Sequence, residues 1–352
     1  MRRVTTTLLN ATLLASAALL SALPAMAAEN FAIINAKVIT NTDAGVIDNA
    51  TVLVQDGKIK AIGKTDSSAS APKVNGSTIL DGTGLWVTPG IFSSFSHTGL
   101  VEVSQETTTN DKSANEAVNS AALRAADAFN PQSTLIAITR AEGITHGAIA
   151  PDAGNAVFGG IGAVIDMSGS FNSVDNPAAF AYAEIGSAGA QRAGGSRSAA
   201  MHSLRGALKD AGRRYGNADD GDSVSRSDAA SLARAVTGHM PLMISVDRAS
   251  DIVSALSLKK EYPRLDIIIL GGAEAWMVTD QIKAAKATVL IDPTESLPTD
   301  FNRIGTRLDN AQRLAAAGIE YAFMTRTSDY AHNVRLLPQH AGNAVANGLA
   351  WD

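Results

Sequence analysis

The spacing of hydrophobic and polar positions changes once along the chain. From Phe31 to Thr88, short runs rich in β-branched residues (FAIINAKVI, TVLVQ, KIKAIG and TILDGTGLWVTPG) alternate with turn-forming residues. Such runs predict strands, because successive side chains of an extended chain fall on opposite faces. The Asp56-Gly57 pair between two runs reads as a hairpin turn, since Asp and Gly adopt the left-handed dihedrals it needs at little cost. Residues 28–88 are therefore expected to form a small antiparallel β module, with the polar segment 65–77 as a loop at its tip.

After Pro89, short apolar strands alternate with helical stretches. The strand candidates span residues 143–151, 162–167, 241–247, 265–272, 287–293 and 319–327. Between the later ones lie helix patterns such as ASDIVSALSLKKEY, EAWMVTDQIKAAK and LDNAQRLAAAG. Alternation of this kind implies an α/β chain with a parallel sheet and helices outside. Counting a strand entering at Trp86 and one near residues 178–186 gives eight, which favours a closed (β/α)8 TIM-type barrel over residues 89–352. An open doubly wound sheet is the competing architecture. In a closed barrel, function sits at the C-terminal ends of the strands. Residues 187–230, rich in Gly, Ser, Ala and Arg, read as an excursion above the barrel with one helix around Met201 to Tyr215.

Composition narrows the setting. Arg2 and Arg3 precede an uncharged apolar run that ends in the small residues Ala25, Met26 and Ala27, the pattern of a secretory signal peptide over residues 1–27. Asn10, several Thr and Ser, and Pro24 argue against a membrane-spanning helix in a run already near the minimum length. The expected setting is the bacterial periplasm, with no membrane attachment after cleavage. Removing two arginines takes 29 cations to 27 against 34 acids, so the net charge moves from -5 to -7, which points away from nucleic acid. The absence of cysteine excludes disulfides, thiolate metal sites and thiol nucleophiles. Stability then rests on core burial, which about 325 residues can supply.

Three features carry a resemblance to a known family: the β module leads into a strand beginning TPGI, PLMISVDRASDIVSAL is followed by LDIIILGGAEAW, and ATVLIDP leads on to LDNAQRLAAAGIEYAFMTRT and HAGNAVANGL. Together they resemble the amidohydrolase superfamily, in particular its secreted imidazolonepropionase-like members, over nearly all of residues 31–352. The resemblance implies a (β/α)8 barrel with a flanking β sandwich, and a metal site that hydrolyses non-peptide carbon–nitrogen bonds. In that chemistry a divalent ion such as Zn²⁺ holds and acidifies the attacking water.

The ligand set that the resemblance implies is depleted. The first strand should read Pro-Gly-x-x-Asp-x-His-x-His; Pro89, Gly90 and His97 match, while Ser93 and Phe95 stand at the other positions. No lysine occurs between Lys112 and Lys209, where the fourth strand should supply one; Glu184 lies near that place. The fifth- and sixth-strand histidine positions fall at Ser245 and Gly271. The eighth strand should end in an aspartate acting as general base, and the nearest carboxylate, Asp329, sits a little late. The candidate ligands are thus His97 and His146, with Asp329 as the candidate catalytic residue and no cofactor expected unless an active site holds a divalent metal. His332 and His340 follow the eighth strand; His202 and His239 receive no role.

Other chemistries find less support. There is no G-x-S-x-G elbow for a nucleophilic serine, and the Gly-rich run 152–166 lacks the GK[ST] ending of a phosphate loop. Asp247, Arg248, Glu274, Trp276 and Asp292 follow strands five to seven and are expected to bind a ligand at the barrel mouth. The chain ends at Asp352, short of the strands that complete the sandwich in the family it resembles. The module is therefore expected to be incomplete, exposing an edge and an apolar face or pairing with another chain as a homo-oligomer. Two functions remain open: a hydrolase of non-peptide carbon–nitrogen bonds, and a non-catalytic periplasmic protein that binds a small ligand or a partner at the barrel mouth.

Overall fold

A computed structural model describes residues 30–65, 78–117, 120–213, 223–326 and 330–351. The expected signal peptide, most of the 65–77 loop and the candidate Asp329 lie outside them. The chain divides into two compact units at the Pro89–Gly90 bond.

The first unit is a sheet of β1 (Phe31–Ile39), β2 (Val46–Gln55), β3 (Lys58–Lys64), β4 (Thr78–Asp81) and β5 (Trp86–Val87). Its order is β3-β2-β1-β4, with β5 also pairing with β1. The β2–β3 hairpin turns at Asp56 (φ 52°) and Gly57 (φ 70°), the left-handed pair that its sequence predicts. The module is not wholly antiparallel, because β4 and β5 run parallel to β1. Asn35 (φ 58°) breaks the β1 register between Ile33 and Ala36, a position where asparagine tolerates the left-handed backbone. Ala36, Val38, Ala50 and Val52 form its small core, while Ile79 and Leu80 of the outer strand β4 are exposed.

The second unit holds eight strands in chain order: β6 (Ile91–Ser96), β7 (Ile144–Ile149), β8 (Phe158–Asp166), β9 (Val174–Glu184), β10 (Leu242–Val246), β11 (Ile267–Gly271), β12 (Thr288–Ile291) and β13 (Tyr321–Phe323). They form a nearly closed barrel sheet, and Ser94 Oγ of β6 donates to the Phe323 carbonyl of β13 at 2.6 Å. One strand departs from the expected parallel arrangement: β8 is antiparallel to both β7 and β9. Its connectors, residues 150–157 and 167–173, are too short for crossover helices, which need a dozen residues or more.

Period two now has a physical meaning. Tyr182, Met243, Leu270 and Leu290 belong to one buried cluster with Phe95, whereas their neighbours Ala181, Ala183, Leu242, Ile244, Ile269, Val289 and Ile291 belong to another that holds the helices. Each strand thus serves the barrel interior with one face and the helical layer with the other. The described residues of 187–230 contribute to that layer rather than standing above the barrel: helix Arg197–Gly212 buries Met201, Leu204 and Leu208 in the outer cluster, beside Leu232 of helix Arg226–Val236. Gly90 is fixed by close approach, since a Cβ there would lie 2.1 Å from Thr145 Oγ1 and 2.7 Å from its Cβ.

Candidate functional site

The strand C-terminal ends gather two linked sets of charged groups. In the first, Asp247 follows β10 and is almost fully buried. Arg326, just after β13, grips it with two parallel bonds, Nη1 to Oδ1 at 2.6 Å and Nη2 to Oδ2 at 2.8 Å. Arg303 adds Nε to Oδ2 at 3.0 Å and reaches Glu295 Oε1 with Nη1 at 3.1 Å. Burial alone would raise the Asp247 carboxyl, but the two guanidiniums outweigh it and hold the group below the usual aspartate range. Glu295 goes the other way: burial and the nearby Asp247 and Asp292 raise it in spite of Arg326 and Arg303.

Asp292, after β12, accepts from the Arg326 backbone N–H at 2.7 Å and from Thr294 Oγ1 at 2.6 Å, and His340 Nδ1 lies 3.0 Å from its Oδ1. These contacts overcome burial and lower its pKa. Asp292 therefore ties the β13 end to the helix Leu337–Ala346 that carries His340.

The second set centres on His97, at the end of β6 and wholly buried. Its ring meets Phe95 and Tyr330 edge-on at centroid distances of 5.6 and 5.4 Å. Its Nε2 lies 3.1 Å from Asp152 Oδ1, at ion-pair distance. The His97 N–H donates to the Tyr330 carbonyl, and Tyr330 itself holds a left-handed backbone at φ 51°, a costly conformation for an aromatic residue. Asp152 is lowered: burial opposes this, and His97, Lys112 and Arg192 prevail. Glu184, at the end of β9, is raised by burial and by Asp152 against the pull of Arg192. It is neither solvated nor free to bridge metals, because it accepts from Ala153 N–H at 3.1 Å and from Arg192 Nη1.

The sequence candidates separate accordingly. His97, Asp247 and Asp292 join these networks. His146 does not: it lies near the start of β7, is half exposed, and faces Asp175 at 3.8 Å and Thr145 Oγ1 at 2.9 Å, at the end of the barrel opposite the strand C-termini. Glu274 spends its carboxylate on the backbone N–H groups of Ala249 (2.9 Å) and Gly305 (3.0 Å). Trp276 donates to the Gly305 carbonyl at 2.8 Å, and the guanidiniums of Arg307 and Arg313 each lie 5.1 Å from its ring. Arg248 pairs with Asp251 at 2.7 Å. His332 contacts the Glu102 carbonyl, and His202 and His239 are exposed. The sequence reading passed over Arg326, Arg303, Asp152 and Tyr330. The one visible signal was an arginine in MTRT at a strand end.

These residues do not fit a divalent metal. Among the described residues no group of three His, Asp or Glu is placed to hold one, and a catalytic zinc site normally needs three protein ligands. A cation is already present, the Arg326 guanidinium on Asp247. At Gly271, where the family resemblance places a histidine, a Cβ would lie 2.5 Å from Asp247 Oδ1 and 2.9 Å from Arg326 Nη1. The glycine, at φ +103°, makes room for the ion pair.

Comparison with known proteins follows the fold. An amidohydrolase from Thermotoga maritima matches with a TM-score of 0.79 at 20% identity, over 91% of this chain and 84% of that one. A prolidase solved with N-methylphosphonate-L-proline matches at 0.51 and 14% identity, over 90% of this chain and 84% of its own. No family model and no curated protein matches the chain. Its structural neighbours are amidohydrolase-superfamily proteins, and the likeness establishes the fold: a mixed α/β chain with a nearly closed eight-stranded barrel sheet and a β-rich N-terminal unit.

Proposed function

We propose that this chain is a secreted, periplasmic homologue of the amidohydrolase superfamily, of the imidazolonepropionase-like branch, that binds a small polar ligand at its strand-end face without a metal centre. The observation that carries this reading is the Arg326–Asp247 pair. A guanidinium gripping a buried carboxylate with two bonds neutralises the site and fixes its geometry. A divalent ion placed beside it would meet like charge, and the Asp247 carboxylate would already be engaged.

A second reading, hydrolysis of a non-peptide carbon–nitrogen bond, draws on the His97–Asp152 contact at 3.1 Å, since a carboxylate beside an imidazole can orient it as a base. One experiment separates the two. The purified protein is analysed for bound metal and assayed on cyclic amides with and without added Zn²⁺. The expected result is less than about a tenth of an equivalent of Zn, Mn, Fe or Ni, against the full occupancy that a catalytic site requires. Turnover is expected to stay at the uncatalysed level. Near-stoichiometric metal that is lost on His97→Ala, or turnover that His97→Ala abolishes, overturns the binding reading.

A further inference from the structure

Outside both networks, a cavity of 360 Å³ opens between the helices Arg197–Gly212 and Ala249–Leu256. Three guanidiniums line it, those of Arg197, Arg205 and Arg248, and each is partly open to solvent, with side chains 35%, 41% and 38% exposed. The lining carboxylate is Asp251, which is buried and shared: Oδ2 accepts from Arg197 Nε at 2.9 Å and Oδ1 from Arg248 Nη2 at 2.7 Å. Glu261 pairs with Arg205 from outside the lining. Three cations against two carboxylates leave an excess of one positive charge, on a protein whose net charge is -5.

The arginines are held by bonds that leave donors over. Arg197 uses Nε on Asp251 and Nη2 on Asn302, Arg205 uses Nε on Glu261 and Nη2 on Ser257 at 3.2 Å, and Arg248 uses Nη2 on Asp251. Each guanidinium carries five N–H donors, so each keeps donors beyond these bonds, although Arg248 Nε is itself buried. Asp251 and Glu261 act as positioning groups that hold the forks in place before anything binds. Ser198 and Ser250 line the same cavity from the first turns of the two helices, the ends at which backbone dipoles favour an anion. Ile185 and Met201 complete the wall with apolar surface.

We infer that this cavity binds a small organic phosphate ester, its oxyanion among Arg197, Arg205 and Arg248 and its apolar part on Ile185 and Met201. Planar guanidinium forks match the oxygens of a phosphoryl group, and the volume is that of a small-molecule site. None of the lining side chains belongs to the Asp247 or His97 network, although Ile185 and Arg248 follow β9 and β10 at the same strand-end face, so the inference names a ligand for that face and rests on the binding reading proposed above.

The test is calorimetric titration of the full-length protein with phenyl phosphate, with inorganic phosphate and benzyl alcohol as comparisons. Binding of one phenyl phosphate per chain is expected, weakened by added salt, tighter than inorganic phosphate, and with no binding of benzyl alcohol. Arg205→Gln, which removes a solvent-open pair, is expected to weaken it about tenfold or more, the loss of a charge-assisted contact. Ser198→Asp puts a negative charge in the cavity at a helix first turn, where acidic residues stabilise the helix. It should therefore abolish binding while the melting temperature holds. Absence of saturable phenyl phosphate binding overturns the inference, as does benzyl alcohol binding equally well. So does an affinity for phenyl phosphate that is unchanged in both variants while they remain folded, and equal affinity for inorganic phosphate removes the organic part of the ligand.

Discussion

At the scale of single residues, the site is a study in how a buried charge is kept. Asp247 tolerates burial because Arg326 and Arg303 together satisfy both of its oxygens. Removing one partner of a buried pair leaves an uncompensated charge, which costs more than the intact pair contributes. Arg326→Met is therefore expected to destabilise the fold by about 3–5 kcal/mol in urea denaturation, while Asp247→Leu combined with Arg326→Met recovers most of the loss. A double variant no better than the single one would show that the pair is not the coupled unit described. This network was only half legible in the sequence. The strand-end rule found Asp247 and Asp292, because acidic residues at those positions invite a functional reading. It passed over Arg326, since a search for metal ligands has no use for a side chain that cannot donate a lone pair. Phe95, at a position where the resemblance implies a histidine, sits in an apolar barrel interior with Tyr182, Met243 and Leu270.

At the scale of elements, periodicity located all eight barrel strands and the helices that follow the later ones, because a strand serving two cores must be apolar on both faces. It could not give the direction of β8. A short apolar run reads the same in either direction, and only the connectors, residues 150–157 and 167–173, carry the information that no crossover helix fits. The resulting β8–β9 hairpin is tightly packed. A Cβ on Gly162 of β8 would fall 2.2 Å from Phe180 Cζ and within 2.6 Å of two further ring atoms, so the whole ring would have to move. Gly162→Ala is expected to cost about 1–3 kcal/mol by overpacking, and trimming the ring with Phe180→Leu in the same chain should relieve part of it. If Gly162→Ala melts like the parent protein, the hairpin is looser than its geometry says. The stretch 187–230 misled for a related reason: small residues such as Ala200, Ala207 and Ala211 look like loop composition, yet they pack fully on a helix face.

At the scale of the whole molecule, the carboxylates around the barrel mouth oppose one another as pH changes. Asp152, Asp247 and Asp292 have folded values below the ordinary 3.8, so their contribution to stability is fully present above that value and is lost as pH falls through the lower ones. Glu184 and Glu295 have folded values above the ordinary 4.5, because burial and neighbouring acids outweigh their arginines. For these two the sign reverses: the folded state holds its proton longer than the unfolded chain, and stability declines as pH rises from 4.5 through the folded values. Each group contributes at most about 1.4 kcal/mol per pH unit, the free-energy equivalent of one proton. The two limbs separate by substitution. Glu295→Gln keeps an oxygen for Arg303 but cannot ionise, so it should flatten the decline above pH 4.5 and leave the acid limb unchanged. Chemical denaturation of both proteins across about pH 3–8, a range that spans the ordinary carboxylate values, reads this directly. If the two curves run parallel above pH 4.5, Glu295 is not the raised carboxylate that its burial beside Asp247 and Asp292 requires.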